Sequence, residues 1–125
     1  MKQIIHTPDA PAPIGPYSQA VLSNGTLYAS GQIAINPQTG EMETDNIEQE
    51  TTRVMENIRA VLAAADMTFD NVIKCSIFIA DMGQFGEINA VYGRYFENDP
   101  PARETVEVAC LPKNVNVEIS VLAVK

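Results

Sequence analysis

Residues 46–65, NIEQETTRVMENIRAVLAAA, set Ile47, Thr51, Val54, Ile58, Val61, Leu62 and Ala65 three and four positions apart. That spacing predicts a helix with a single buried stripe. Asp45 is the expected N-cap, and Glu48 and Glu50 suit the positive helix start. The acidic run from Glu41 to Glu50 reads as the solvated beginning of this helix. A helix with one apolar stripe must lie on something, and the flanking segments alternate like strands.

Before the helix, YSQAVL and TLYAS are short β-like runs separated by SNG, a hairpin signal resting on Asn24-Gly25. GQIAI at 31–35 reads as a further strand bent at Gly31, ending in the turn NPQTGE. The four prolines between Pro8 and Pro16 predict an extended, irregular arm. After the helix, VIKCSIFIA at 72–80 places Ile73, Cys75, Ile77 and Ile79 on one face. GQFGEINAVYGRYF fits a second helix, with Phe85, Ile88, Tyr92 and Tyr95 or Phe96 sharing a side, ended by Pro100-Pro101. Two last strands are expected at about 104–109 and 115–124, joined by LPKN.

The order β-β-β-α-β-α-β-β describes a single domain over residues 1–125 of the α+β class. Right-handed crossovers place both helices on one sheet face. The opposite face is expected to carry Tyr28, Ser30, Gln32, Ser76, Phe78, Glu118, Ser120, Leu122 and Val124. That set is too apolar for water and too polar for a dry core. It fits a subunit interface enclosing a polar site.

With sixteen acidic and eight basic residues, the net charge of −8 opposes nucleic-acid backbones and anionic membranes as partners. A small anionic substrate is compatible, because one arginine can dominate its local field. MKQIIHTPDAPAP has no apolar run of the secretory kind, and no stretch is long and apolar enough to span a membrane. Cys75 and Cys110 lie in apolar, β-branched stretches and read as reduced core thiols, so the expected compartment is the cytoplasm. Lone His6 reads as a solvated residue, and without closely spaced cysteines no transition-metal site is expected.

Two charged residues stand out. Arg103 follows Pro100-Pro101 and precedes the strand-like TVEV; it is either a surface arginine paired with Glu104 or Glu107, or a carboxylate clamp held on rigid elements. Glu118, in NVEISV, is either an outward edge-strand carboxylate or a group that orients or deprotonates a water. Around them, Tyr17 could lie over a small substrate or cap the core. SGQ at 30–32 could be a bulge or admit a ligand close to backbone. Asn89 sits on the second helix, where solvent exposure is the ordinary condition.

GPYSQAV at 15–21, SGQIAINPQTGE at 30–41 and NDPPARETVEVACLPKNVNVEISV at 98–121 resemble, in this order, the RidA family of reactive-intermediate imine deaminases. The resemblance covers nearly the whole chain. It implies a chorismate-mutase-like mixed six-stranded sheet with two helices packed on one face, assembled as a homotrimer with sites between subunits. The implied activity is hydrolysis of 2-iminobutanoate and 2-iminopropanoate, and their enamine tautomers, to 2-oxo acids and ammonia, without cofactor or metal. By position, Arg103 matches the arginine that binds the substrate carboxylate, and Glu118 the glutamate that holds the attacking water. Tyr17, Ser30, Gly31 and Asn89 match pocket residues, and Thr105 supplies backbone contacts to the substrate. Thr105 stands where many members carry cysteine, Cys110 where arginine is common, and Ser120 where a second acidic residue is often found. These departures bear on rate and substrate preference. Two other functions fit a member of this family: a non-catalytic carboxylate-binding regulatory module, and an endoribonuclease or translation inhibitor, which the charge disfavours.

Overall fold

The computed structural model describes residues 1–125 as a six-stranded mixed sheet with two helices on one face. The strands are β1 (Lys2–Ile5), β2 (Ala20–Ser23), β3 (Thr26–Ala29), β4 (Val72–Ile79), β5 (Ala102–Glu107) and β6 (Val117–Val124). The helices are α1 (Ile47–Ala64) and α2 (Phe85–Gly93). Across the sheet the order is β1-β2-β3-β6-β4-β5, with only β4 and β5 parallel. No helix is long and apolar enough to cross a membrane.

The hairpin between β2 and β3 turns on Asn24 and Gly25, both at positive φ (52° and 78°), as the right-handed strand twist favours. Along β6, Val117, Ile119, Val121 and Ala123 are buried under the helices, while Glu118, Ser120, Leu122 and Val124 face the other way. Register extends this alternation to β4, where Ser76 and Phe78 lie opposite Ser120 and Glu118, and Tyr28 of β3 lies opposite Leu122. The mixed polar and apolar face expected from sequence is therefore present.

The stripe on α1 is buried as predicted, from Ile47 to Ala65. Its cap is Asn46, not Asp45: Asn46 is extended and its side-chain oxygen accepts the Gln49 N–H at 2.7 Å. Such a cap contributes about 1 kcal/mol. The acidic run is not wholly solvated either, because Glu50 is fully buried. Its carboxylate accepts the Asn116 N–H at 2.7 Å, the Asn116 side-chain amide at 2.8 Å and the Val117 N–H at 3.2 Å. α2 is shorter than predicted. A 3-10 turn over Met82–Gln84 precedes it and Gly93 closes it, leaving Tyr95 and Phe96 beyond its end, packed with Phe69.

GQIAI is not a strand. It makes only isolated bridges, Gln32 to Ile119 and Ile35 to Met42. The physical reason lies in Asn57, buried on α1, whose amide takes the carbonyls of Ile33 and Ile35 at 3.1 and 3.0 Å. Those acceptors are thereby satisfied by a side chain instead of a neighbouring strand. The sixth strand is β1, a four-residue segment paired antiparallel with β2, too short to show a period of its own. Gln32, expected on the open face, is buried. Cys75 is a core thiol, but Cys110 is exposed and so is no part of the core.

Candidate functional site

Glu118 lies on a central strand, not at an edge, with Phe78 of β4 beside it on one flank and Gly31 on the other. It lines a cavity of about 340 Å³ together with Tyr17, Ser30 and Gly31. The remaining walls are largely apolar, including Ile14, Ile33, Ile35 and Pro112, and Tyr17 is the only other ionisable lining group. Desolvation alone raises the Glu118 pKa, with no hydrogen bond or neighbouring charge to offset it. A half-buried carboxylate in this condition is able to accept a proton from a water that reaches it.

The carboxylate rests directly on Gly31. A Cβ at position 31 would overlap Glu118 Oε2 and stand 2.8 Å from Cδ. Glycine here is a matter of space, and no positive φ is involved. Because the obstructing atoms are the end of a flexible side chain, Gly31→Ala is expected to fold, with the Glu118 carboxylate pushed aside. Its unfolding midpoint should stay near wild type while the Glu118 titration, followed by carboxyl NMR, moves. An unchanged titration would mean that Gly31 does not set the carboxylate's place.

Ser30 donates its hydroxyl to the Ser18 carbonyl at 2.6 Å, tying the loop to the proline arm. Tyr17 is held by its own hydroxyl, which accepts the Ile14 N–H at 3.3 Å. Four of the sequence-marked residues, Tyr17, Ser30, Gly31 and Glu118, thus share one cavity.

Arg103 and Asn89 do not join them. Arg103 is opposite Cys75 in the parallel β4–β5 register, and Cys75 points into the helix-covered core. The guanidinium lies over the Tyr92 and Phe85 rings, 5.1 and 5.5 Å from their centroids, and donates to Asn89 Oδ1 at 2.6 Å. It lines a second hollow of about 490 Å³ with Asn89, Pro100 and Pro101. Neither acidic neighbour claims it. Glu104 is bound to Lys74 (2.9 Å) and Ser76, and Glu107 accepts the Met82 N–H at 2.7 Å. Those contacts explain the lowered Glu104 pKa, with the Ser76 hydrogen bond first and Lys74 after it.

Thr105 is opposite Ile77, so it faces the same side as Arg103, and its buried hydroxyl has no partner. β5 is an outer strand of the sheet, leaving the backbone groups on its far side without a strand neighbour. Arg103 and Glu118 therefore leave opposite faces of one sheet and cannot meet on a common ligand within one chain. Sequence reasoning did not mark the rings beneath Arg103 as functional. Tyr92 and Phe85 had shown themselves there only as members of an apolar helix stripe.

A family profile described as endoribonuclease L-PSP matches residues 7–125. A RutC family protein of Saccharolobus solfataricus is 51% identical over 125 residues, spanning 100% of this chain and 99% of its own. A Mus musculus protein named 2-iminobutanoate/2-iminopropanoate deaminase is 40% identical over 125 residues, covering 100% of this chain and 93% of its own. The crystal structure of YyfA from Yersinia pestis, a Rid-family protein of unknown function, superposes with a TM-score of 0.97 at 48% identity, covering 100% of both chains.

Proposed function

The chain belongs to the endoribonuclease L-PSP family, which includes Rid and RutC proteins, and on that premise we propose that it is a hydrolytic deaminase of 2-iminobutanoate and 2-iminopropanoate. The observation that carries this reading is the desolvated, unpartnered Glu118 carboxylate in a mostly apolar cavity. The name of the 40% identical Mus musculus relative supports it. An RNA backbone is a poor alternative ligand for a chain of net charge −8, since phosphate contacts need clustered basic groups.

In the proposed reaction Arg103 clamps the substrate carboxylate with its planar fork, and Asn89 holds the guanidinium in place. Outer backbone groups of β5 at Thr105 contact the substrate, while Tyr17, Ser30 and Gly31 shape the pocket around it. A protonated imine is already electrophilic and needs only a placed water. Water's oxygen bonds to C2, Glu118 takes its proton, and the C=N pair settles on nitrogen, giving a carbinolamine. Glu118 then returns the proton to nitrogen and the C–N bond breaks. The hydroxyl proton follows to the departing ammonia, leaving a 2-oxo acid and ammonium. Fixing the anion and water in register supplies much of the acceleration. The compartment in this reading is the cytoplasm, where imines released by threonine and serine dehydratases arise.

Since the two charged groups occupy opposite faces, the proposed site combines Arg103 of one copy with Glu118 of another. We take the assembly to be a cyclic homotrimer that uses the mixed open face. Sedimentation equilibrium should then give three times the 13.6 kDa chain mass. Mixing Arg103→Ala with Glu118→Gln subunits, each inactive alone, should restore about a quarter of wild-type activity after random reassortment, since each mixed ring rebuilds one intact site. No recovery despite proven exchange would place both groups in one subunit. The deaminase reading itself is tested by adding the protein to threonine dehydratase and following 2-oxobutanoate release. An unchanged rate of release would remove it.

A further inference from the structure

The walls of the Glu118 cavity come from three separate pieces of chain: the proline arm, the loop at 30–35, and the segment from Pro112 into the start of β6. The arm and the loop have no continuous ladder of strand hydrogen bonds there, whereas β6 pairs with β4 from Val117 onward and its approach before Val117 lies outside that ladder. Each of the three meets one fully or almost fully buried polar side chain. Gln19 is 2% exposed. Its Oε1 accepts the Thr7 N–H at 2.7 Å, and its amide nitrogen donates to the carbonyls of Thr7, Ala10 and Pro11 at 3.0, 3.2 and 2.9 Å. Asn57, 0% exposed, holds Ile33 and Ile35 by their carbonyls. Glu50, 0% exposed, holds Asn116 and Val117, the residues immediately before Glu118. Glu50 and Asn57 are seven residues, two helical turns, apart on α1, so one rigid rod spaces two of the walls.

We propose that Gln19, Glu50 and Asn57 are positioning residues that together fix the three walls of the Glu118 cavity, and through them the place of its carboxylate. A purely structural role would need only that each buried group be satisfied. Here every partner lies on a cavity-forming segment, and all three segments are covered. Glu50 illustrates the difference. Its carboxylate meets only donors, two backbone N–H groups and the Asn116 amide. Glutamine can reproduce the set if the Asn116 amide turns over, since one oxygen takes the backbone donors and the new NH₂ meets the Asn116 oxygen.

The test uses the full chain carrying Gln19→Ala, Glu50→Ala, Asn57→Ala or Glu50→Gln. Two readouts are taken below each variant's melting temperature: kcat in the dehydratase-coupled assay, and the Glu118 carboxyl titration by NMR. The three alanine variants are expected to lose about 10- to 100-fold in kcat, the cost of a displacement near 1 Å. Their Glu118 titration should fall toward the ordinary carboxylate value as water enters. Glu50→Gln should restore both. The kcat readout rests on the deaminase reading, whereas the titration does not, so a protein without that activity still gives a decision. Lowered melting temperatures with an unchanged Glu118 titration in folded variants would overturn the proposal. Should an alanine variant fail to fold, Gln19→Asn and Asn57→Ser keep a donor at each site and supply milder losses, read the same way.

Discussion

Arg103→Ala is expected to abolish both turnover and the binding of 2-oxobutanoate, the carboxylate product. The guanidinium is fixed before any ligand arrives. It lies over the Tyr92 and Phe85 rings, and Asn89 Oδ1 takes one of its N–H groups, leaving others of the fork for a carboxylate. Each charge-assisted hydrogen bond contributes about 1.5–3 kcal/mol, so losing a bidentate pair should weaken binding by roughly 10²-fold or more. Arg103→Lys should stay badly impaired, since an ammonium cannot stack flat on the rings or present two parallel donors. Stability should change little, because the side chain is exposed and holds no acidic partner. Calorimetric titration with 2-oxobutanoate and the coupled assay read the two effects. Wild-type binding and turnover in Arg103→Ala would remove the clamp, and the deaminase reading with it.

The two proline-flanked and β-branched segments had already marked Arg103 and Glu118, because stiff neighbours around a lone charge are visible in one dimension. Which face each occupies was not. Arg103 leaves β5 opposite Cys75 and Glu118 leaves β6 opposite Phe78, and that difference of face depends on pairing register, which the chain shows only when folded. GQIAI misled for a related reason. Its composition suits a strand, yet Asn57, twenty-two residues and more away in sequence, takes its carbonyls. Glu50 was read as solvated because carboxylates near a helix start ordinarily are. Its three donors come from residues 116 and 117, a long-range contact with no local signature. The helical stripe and the Asn24-Gly25 turn were legible since both are set by neighbours three to four residues apart or nearer.

Glu118→Gln should separate binding from chemistry. Glutamine keeps the size of the side chain resting on Gly31, so 2-oxobutanoate, held by Arg103, should bind with nearly wild-type affinity. Turnover should fall by about 10²–10⁴, the usual contribution of a general base. Wild-type kcat should decline as pH drops through the raised Glu118 pKa, where the carboxylate takes up a proton and can no longer accept one from water. That acidic limb should be missing from the variant. Stability is expected to move the other way. A carboxyl whose folded pKa is raised contributes stability that is full below its unfolded pKa and is lost as pH rises through the folded one. Wild type therefore forfeits this contribution above its folded pKa, whereas the variant, with nothing to ionise, does not. Urea unfolding should show Glu118→Gln gaining on wild type across that window and holding the gain above it. A variant that turns over normally, or whose advantage does not grow with pH, would show that Glu118 is not the desolvated base on which this site depends.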